Sequence, residues 1–446
     1  MDHFSSNKNI LKEFAIIYGS GISACKTKLM VSAITMLVII GSFLLSNDAI
    51  GQPLAKRMAI DLNSNWRTIA GNDENPVTPA FQTKFDDSKW KQVTVPHNWD
   101  DYHGYRRLLH GNKHGDAWYR RIVKVKQSKT GKRFILFFEG GGSYVTVFLN
   151  EQKVGGHAGG RTTFTIDVTN YIKTDGTENL LAVRAWHPPF IKDLPWVCGG
   201  CSDERGFSEG SQPMGIFRPV QLVVTNDLRI EPFGVHAWAT LKGNAAVLNI
   251  NTTVKNDSKQ QKLFTVIHNL IDKNGAIVNT VTEEGALNAT SDMELSIKNI
   301  NINQVNLWSV DHPYLYKIIS IIKIGDKEMD RLETDFGFRT VNWKTATNQF
   351  YLNGQPVFIN GVAEYEHLIG QSHAFSKEQV IARVKWMEAA GFNAFRDGHQ
   401  PHNLLYGKLF NQKGILWWTQ LSAHVWYDTP EFRANFKQLL KEWVIE

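Results

Sequence analysis

Cysteine is scarce in this sequence, with only three among 446 residues. Cys25 lies in the N-terminal segment, and the other two form the motif Cys198-Gly-Gly-Cys201. The two glycines and the preceding Pro195 place this pair in a loop, which argues against a thioredoxin-like redox centre at a helix start. A zinc site would need a second ligand pair at suitable spacing, and none is obvious. In an exported protein, a disulfide and two inert thiols remain the alternatives.

The sequence also lacks a long basic run. Its 49 Lys and Arg against 43 Asp and Glu leave a net charge of +6, spread along the chain. Nucleic-acid binding requires a clustered basic stripe, so we predict no nucleic-acid partner. An apolar share of 42% and a charged share of 21% are typical of a globular protein, and the length suggests about three domains. The 14 Trp and 25 Phe are first of all core material, and a rim of such rings also suits sugar faces.

A long hydrophobic run occurs once, near the N-terminus. Lys26 and Lys28 precede the apolar stretch Leu29–Leu45, and the small residues Ala49 and Gly51 follow it. This order is typical of a signal peptide, so we predict cleavage after Gly51, a periplasmic or extracellular location and no membrane contact in the mature protein. The alternative for residues 1–51 is an N-terminal anchor, because about 17 apolar residues is the lower limit for a spanning helix.

Two β-rich regions follow, at residues 58–226 and 227–343. The first has short β-type runs punctuated by Gly, Pro and Asn, which predicts a β-sandwich or barrel. The second has some seven short strands within roughly 115 residues, as in an immunoglobulin-like sandwich. The clearest predicted strands are Arg133–Glu139, Tyr144–Leu149, Phe164–Val168, Leu180–Ala185, Ala246–Val254, Leu263–Ile271, Glu294–Ile300 and Tyr314–Ile322.

The period changes in the third region, residues 347–446. After Phe350 the sequence predicts a turn and a short apolar strand, and two further strands are predicted at Asn393–Asp397 and Ile415–Gln420. A helical pattern follows each strand, so this region predicts about three parallel strand–helix units. A complete (β/α)₈ barrel has eight units and about 250 residues. We therefore expect the first part of a barrel, with an open edge that favours aggregation.

The three predicted helices carry clear end signals. Ser376 and Gln379 form a capping box, and Gly391 ends the first helix. The second helix is predicted at Pro401–Lys413 before Gly414, and Thr429-Pro430 caps the third.

Several motifs recur in a fixed order along the chain, and together they resemble glycoside hydrolase family 2, which includes β-galactosidases, β-glucuronidases and β-mannosidases. The resemblance covers residues 60–446. The fragments that carry it are Asp86-Asp87-Ser88-Lys89-Trp90, Val95-Pro96-His97-Asn98-Trp99, Trp118-Tyr119-Arg120, Phe138-Glu139-Gly140, Gly215-Ile216-Phe217-Arg218, Leu307-Trp308-Ser309, His312-Pro313-Tyr314, Phe336-Gly337-Phe338-Arg339, Asn353-Gly354-Gln355-Pro356 and Gly361-Val362.

The resemblance implies a jelly-roll sugar-binding-type domain, an immunoglobulin-like sandwich and an incomplete TIM barrel. It also implies a retaining hydrolase of terminal β-glycosidic bonds in oligo- or polysaccharides, and we favour the β-galactosidase type because it is common in the family. The family takes its acid/base and nucleophile from later barrel strands, so we expect this chain to lack both and to be inactive alone. The alternative is a non-catalytic carbohydrate-binding protein on the same scaffold. Sugar identity, linkage and oligomeric state stay open.

Candidate sugar contacts cluster at the ends of the predicted parallel strands, where barrels place their sites. Arg396 and Asp397 are neighbours on one strand, so at most one is expected to face the pocket directly. Gln420 stands where many relatives carry a carboxylate, so the resemblance does not support a divalent metal site here. We predict no cofactor and no catalytic residue within this chain. The predicted substrate-binding residues are Glu366, His367, Arg396, Asp397, His399, Gln420 and, from the first domain, Glu209.

Overall fold

The computed structural model describes residues 57–72, 75, 77–99, 113–189, 191–195, 213–366, 373–398, 400–422 and 427–446. The predicted signal segment, Cys198, Cys201, Glu209, His367 and His399 lie outside these residues. Within the described ranges, no helix combines the length and the apolar character needed to cross a membrane.

Ten strands form the first sandwich, and two antiparallel sheets divide them. One sheet has the order β3-β2-β4-β9-β6-β7 and the other the order β1-β10-β5-β8. The strands are β1 (Met58–Asp61), β2 (Trp66–Ala70), β3 (Lys91–Val93), β4 (Gly115–Lys126), β5 (Lys132–Phe138), β6 (Tyr144–Leu149), β7 (Gln152–Ala158), β8 (Phe164–Asp167), β9 (Asp175–His187) and β10 (Val220–Asn226).

Alternation along these strands explains the core of the first sandwich. In β5, Phe134, Leu136 and Phe138 are buried in the shared core, whereas Phe137 on the opposite face is only half-buried. Successive strand residues point to opposite faces, so each sheet contributes one apolar face to the interior.

Seven strands form the second sandwich. Its sheets have the orders β11-β12-β15 and β14-β13-β16-β17. In β12 every second residue is buried, the pattern of a strand with one covered face. The strands are β11 (Leu228–Lys242), β12 (Ala245–Asn256), β13 (Lys262–Ile271), β14 (Ile277–Leu287), β15 (Ser291–Ile302), β16 (Tyr316–Ile324) and β17 (Lys327–Phe336).

Strand β11 contains a bulge near the junction of the two sandwiches. Its pairing with β12 shifts register between Ile230 and Val235, and Phe233 within the shift has a positive φ of 55°. A non-glycine residue in this region is uncommon, and bulges re-aim side chains. The bulge therefore directs Phe233 out of the regular alternation of β11.

The remaining elements form what we call the parallel segment, residues 341–446. A small antiparallel sheet, β18-β19-β20, precedes a parallel sheet, β21-β22-β23. These elements are β18 (Val341–Lys344), β19 (Gln349–Leu352), β20 (Gln355–Pro356), β21 (Gly361–Glu364), α1 (Lys377–Ala389), β22 (Ala394–Asp397), α2 (Leu404–Lys413), β23 (Leu416–Trp418) and α3 (Pro430–Ile445).

The helix ends follow the predicted signals. Ser376 and Gln379 form both halves of the capping box, Gly414 ends α2 with a φ of 74°, and Thr429 caps α3. Helix α2 starts at Leu404 rather than Pro401, because the Asn403 side chain accepts the backbone N–H of Leu405 and caps the helix there.

The first parallel strand lies later than predicted. Residues Val357–Asn360 are not strand, and Phe358 is 85% exposed. The strand begins at Gly361, which pairs with Ala394, so the apolar run was misleading as a strand signal. The other two parallel strands are one to three residues shorter than predicted.

Helix α3 packs on the first sandwich. Its Leu439 joins Ile191, Leu194 and Leu421 in a small buried cluster, with Tyr144 packed against it. The larger cluster between the parallel sheet and helices α1 and α2 contains no α3 residue among those described.

Candidate functional site

The parallel sheet has two chemically different faces. Val362, Phe395 and Trp417 pack with helices α1 and α2. Arg396 and Trp418, the next residues along their strands, are directed to the other face because strand side chains alternate. No helix of the described residues covers that face, and Trp418 is 70% exposed.

Three side chains meet on the uncovered face, and we call Arg396, Trp418 and Gln420 the inner-face cluster. The Arg396 guanidinium donates to the Gln420 amide oxygen at 3.0 Å and lies 5.6 Å from the centre of the Trp418 ring. The Gln420 amide nitrogen donates to the backbone oxygen of Ser422. The cluster thus presents a flat aromatic ring beside an oriented guanidinium and amide.

Asp397 lies on the opposite side of its strand. It is completely buried, and its carboxylate accepts the Trp417 indole N–H at 2.7 Å and the Gln420 backbone N–H at 3.3 Å. His402 Nδ1 lies 3.2 Å away. Burial raises the pKa of Asp397, against the opposing effects of His402 and these hydrogen bonds. Its oxygens are held by protein groups, so Asp397 orders the strand end.

Glu366 is also buried, with 1% of its surface exposed. One carboxylate oxygen lies 3.0 Å from Arg218 Nη2, and the other accepts the backbone N–H of Asn403 at 2.9 Å. Glu366 itself has a positive φ of 51°. Both oxygens are therefore used in joining the end of the first parallel strand to the loop before α2.

Arg218 comes from the first sandwich and completes this junction. Besides Glu366, it donates to the backbone oxygens of Arg161 at 2.6 Å and Pro401 at 2.5 Å. A buried ion pair is costly to break, since removal of one partner leaves an uncompensated charge. Arg218 thus fixes two strand-end loops of the parallel segment against the first sandwich.

Glu364 is the third described carboxylate at this edge. It accepts from Arg383 Nη1 at 2.8 Å and from the Tyr406 hydroxyl at 3.2 Å. Its partners lie on α1 and α2, so it too is committed to structure.

The structure brings the side chains of two predicted site residues, Arg396 and Gln420, together on the uncovered face, and Asp397 contacts the Gln420 backbone from the other side. Glu366 and Asp397 lie beside them in the fold but are enclosed by protein groups, so their roles as sugar contacts stay predictions. His367, His399 and Glu209 lie outside the described residues. Sequence reasoning missed Trp418 and Arg218 as site residues. Trp418 stands two residues before Gln420 on the same face, which alternation could have revealed, whereas the distant partner of Arg218 had no sequence signal.

Across the described ranges, no group of three or more His, Cys, Asp or Glu side chains is arranged to hold a metal ion. The chemistry that this edge offers is hydrogen bonding and ring stacking.

Three models of one family match consecutive parts of the chain. The glycosyl hydrolases family 2 sugar binding domain matches residues 59–226, the central glycosyl hydrolases family 2 model matches residues 228–339, and the family's TIM barrel domain matches residues 344–428.

Curated relatives extend over most of the chain. A β-galactosidase of Bacteroides ovatus is 27% identical over 78% of this chain and 39% of its own length. A putative β-glucuronidase of Formosa agariphila is 28% identical, with 87% and 35% covered, and a β-galactosidase of Thermoanaerobacter pseudethanolicus is 27% identical, with 87% and 50% covered. The chain therefore spans about a third to a half of the length of these relatives.

Solved structures share the fold. Bacteroides uniformis β-glucuronidase 2, covalently bound to cyclophellitol-6-carboxylate aziridine, superimposes with a TM-score of 0.77 at 23% identity, covering 87% of this chain and 45% of that one. A putative β-galactosidase from Bacteroides fragilis gives a TM-score of 0.73 at 21% identity, with 87% and 56% covered. The architecture is thus two sandwiches followed by part of a TIM barrel.

Proposed function

We propose, because this chain belongs to the glycosyl hydrolases family 2, that the protein is an exported glycosidase of the β-galactosidase type. It hydrolyses terminal β-glycosidic bonds in oligo- or polysaccharides with retention of configuration. In this proposal the sandwiches are scaffold, and the strand ends of the parallel segment form part of the sugar pocket.

The inner-face cluster is the observation that carries the proposal. Trp418 offers a broad apolar surface that suits the C–H face of a sugar ring. The Arg396 guanidinium and the Gln420 amide, already joined at 3.0 Å, supply directional hydrogen bonds for hydroxyl groups at the ring edge. The cluster lies at the carboxyl ends of parallel strands, where barrels bind their substrates.

Hydrolysis with retention needs two carboxyl groups about 5–5.5 Å apart, one as acid/base and one as nucleophile. Glu364, Glu366 and Asp397 do not suit these roles, since each is held by buried or half-buried protein partners. We therefore assign the catalytic pair to later strands of the family barrel. The described residues bind and orient the sugar for that pair.

A binding experiment tests the sugar pocket. The 446-residue chain would be titrated with β-galactosides and β-glucuronides while tryptophan fluorescence is followed. Trp418→Ala is expected to weaken binding about ten-fold, the loss of roughly 1.4 kcal/mol of stacking. Trp386→Ala is the matched control, since Trp386 is equally exposed at 70% but lies on α1. Equal effects of the two substitutions would refute the assignment of the pocket.

A second experiment separates the enzyme from the alternative, a non-catalytic carbohydrate-binding protein. Chromogenic β-galactoside and β-glucuronide would be assayed with the 446-residue chain and with a chain extended by any downstream reading frame. We expect turnover only from a chain that carries the later barrel strands, because this proposal assigns the catalytic pair to them. Turnover by the 446-residue chain would overturn our placement of the catalytic pair, and sugar binding without turnover by the extended chain would favour the alternative.

A further inference from the structure

A cavity of about 470 Å³ lies between the first sandwich, the β11 bulge and helix α3. Its volume falls within the range of small-molecule pockets. It shares no lining residue with the inner-face cluster. We propose that this cavity is a second carbohydrate site, which binds a short neutral saccharide without hydrolysing it. The proposal goes beyond the glycosidase assignment, because binding here needs no catalytic group.

Aromatic rings form the floor of the cavity. Phe137 projects from the outer face of β5, and its ring centre lies 6.1 Å from that of Phe233. Phe164 contributes a third ring at the start of β8. Phe233 reaches this position only through the bulge and its positive φ. Backbone strain of this kind costs of order 1–3 kcal/mol and is concentrated at functional sites, so the bulge is consistent with a ring placed for a ligand.

Helix α3 supplies the polar wall. Asn435, Gln438 and Glu442 are spaced by three and four residues and therefore share one face of the helix. The amide nitrogens of Asn435 and Gln438 donate to Asp193 and to Glu442. Their amide oxygens keep acceptor capacity for a hydroxyl donor. The wall is thus rich in acceptors and is held in place by its own hydrogen bonds.

The charges of the cavity are compensated from within the protein. Glu442 accepts from His157 at 3.0 Å, Thr162 at 2.7 Å and Gln438 at 2.7 Å. Burial opposes its ionisation, but these hydrogen bonds prevail and lower the pKa of Glu442. Glu231 is paired with Arg229 and Lys255. No Lys or Arg lines the cavity among the described residues. An anionic ligand would lack a cation here, and a cationic one would find no unpaired carboxylate.

A neutral ligand with several hydroxyl groups suits this lining of aromatic rings and amide oxygens. Its hydroxyl groups can donate to the amide oxygens of α3, and its C–H faces can cover the rings of Phe137 and Phe233. Saccharides combine both properties.

The test uses the 446-residue chain carrying Trp418→Ala, so that binding at the inner-face cluster is reduced. Neutral trisaccharides of galactose, glucose and xylose, and one trisaccharide containing glucuronic acid, would be titrated by calorimetry and saturation-transfer NMR. Phe233→Gly removes the ring while keeping a residue that tolerates positive φ. Gln438→Ala removes an acceptor, and Lys437→Ala, exposed on the same helix, is the control.

We expect one neutral trisaccharide to bind per chain in this background. Phe233→Gly should weaken its binding about ten-fold, Gln438→Ala should weaken it less, and Lys437→Ala should leave it unchanged. Three outcomes would overturn the proposal: no neutral binding, binding indifferent to Phe233→Gly and Gln438→Ala, or tighter binding of the acidic trisaccharide. Melting curves would confirm that each variant is folded. Failure at the inner-face cluster would appear separately, as unchanged binding on Trp418→Ala in the otherwise unaltered chain.

Discussion

The two sandwiches and the parallel segment bury their apolar residues to different extents. Within the described ranges, the sandwich cores contain 25 and 18 buried hydrophobic residues, whereas the cluster between the parallel sheet and its helices contains eight. Of the 17 large hydrophobic side chains that are exposed among the described residues, ten lie in residues 341–446. Residues 341–446 thus carry more than half of the exposed large apolar side chains that the structure describes.

The cause of this difference lies in sheet architecture. An antiparallel sandwich covers the inner face of each sheet with the other, and the outer faces carry polar residues. A parallel sheet needs cover on both faces, and here α1 and α2 cover only one. Stability in the parallel segment therefore depends more on a few specific polar contacts than on bulk burial.

The largest expected effect tests that dependence. Glu366→Ala would remove the carboxylate that pairs with the buried Arg218 guanidinium and leave that group to its backbone carbonyl partners. We expect this change to weaken the packing of the parallel segment on the first sandwich by about 3–5 kcal/mol. Urea unfolding and hydrogen exchange resolved by region would measure it. Glu388→Ala removes an exposed ion pair with Lys413 between α1 and α2 and should cost about 1 kcal/mol or less. Similar costs for both would contradict the special weight of the buried pair.

A buried histidine makes the stability of the second sandwich depend on pH. His268 is buried between Thr252 and Ser320, and burial lowers its pKa to about 4. The unfolded chain binds this proton near pH 6.5, so stability falls as pH drops from 6.5 towards 4. Between pH 7 and 5 we expect a loss of about 2 kcal/mol from this group. His268→Gln should flatten that part of the acid slope, measured by urea unfolding at each pH.

The parallel segment should respond in the opposite sense at Asp397. Its pKa is raised by burial, so the folded state holds this proton at a higher pH than the unfolded state. Protonation therefore stabilises the segment, and its stability falls as pH rises from the ordinary carboxyl range through the raised pKa. An acid slope of the same sign and size in both regions would contradict this contrast.

A smaller and local effect is expected at the start of α1. Ser376→Ala removes a capping box whose backbone donor lies 3.3 Å from the hydroxyl, and typical caps contribute about 1 kcal/mol. Hydrogen exchange of α1 should accelerate while the sandwiches keep their protection. Lys377→Ala, an exposed neighbour, is the control.

Much of the fold was predictable from local pattern. Strand β6 has the predicted bounds, Tyr144–Leu149, because strict alternation between turn residues leaves little ambiguity. The capping box at Ser376 and the left-handed Gly414 follow from side-chain chemistry alone. Predicted strand boundaries were wrong where pairing with a distant strand decides them. The apolar residues Val357–Asn360 suggested a strand, but the parallel pairing begins only at Gly361 with Ala394.

The site was less predictable for the same reason. The Arg218–Glu366 pair joins residues 148 positions apart, so no local pattern indicates that Glu366 is enclosed. The Asp397 carboxylate is occupied by its hydrogen bond from Trp417, and the orientation of the Trp417 ring depends on packing against α2. The bulge that aims Phe233 likewise depends on the register with β12. Sequence gives candidate residues, and long-range contacts decide which of them face a ligand.

The smallest effect on stability concerns the exposed apolar residues themselves. Phe358→Ser replaces an 85% exposed ring, and surface changes of this kind usually alter stability by no more than about 0.5 kcal/mol. We expect instead a clear fall in self-association, measured by light scattering against protein concentration, because open parallel sheets and exposed apolar side chains promote aggregation. Leu263→Ser, which replaces a 70% exposed side chain on the second sandwich, is the matched control and should change association much less. If both substitutions reduce association equally, exposed apolar surface promotes association wherever it lies, and the parallel sheet with its one uncovered face does not promote it specifically. If only Phe358→Ser acts, association arises from the region whose sheet is covered on one face.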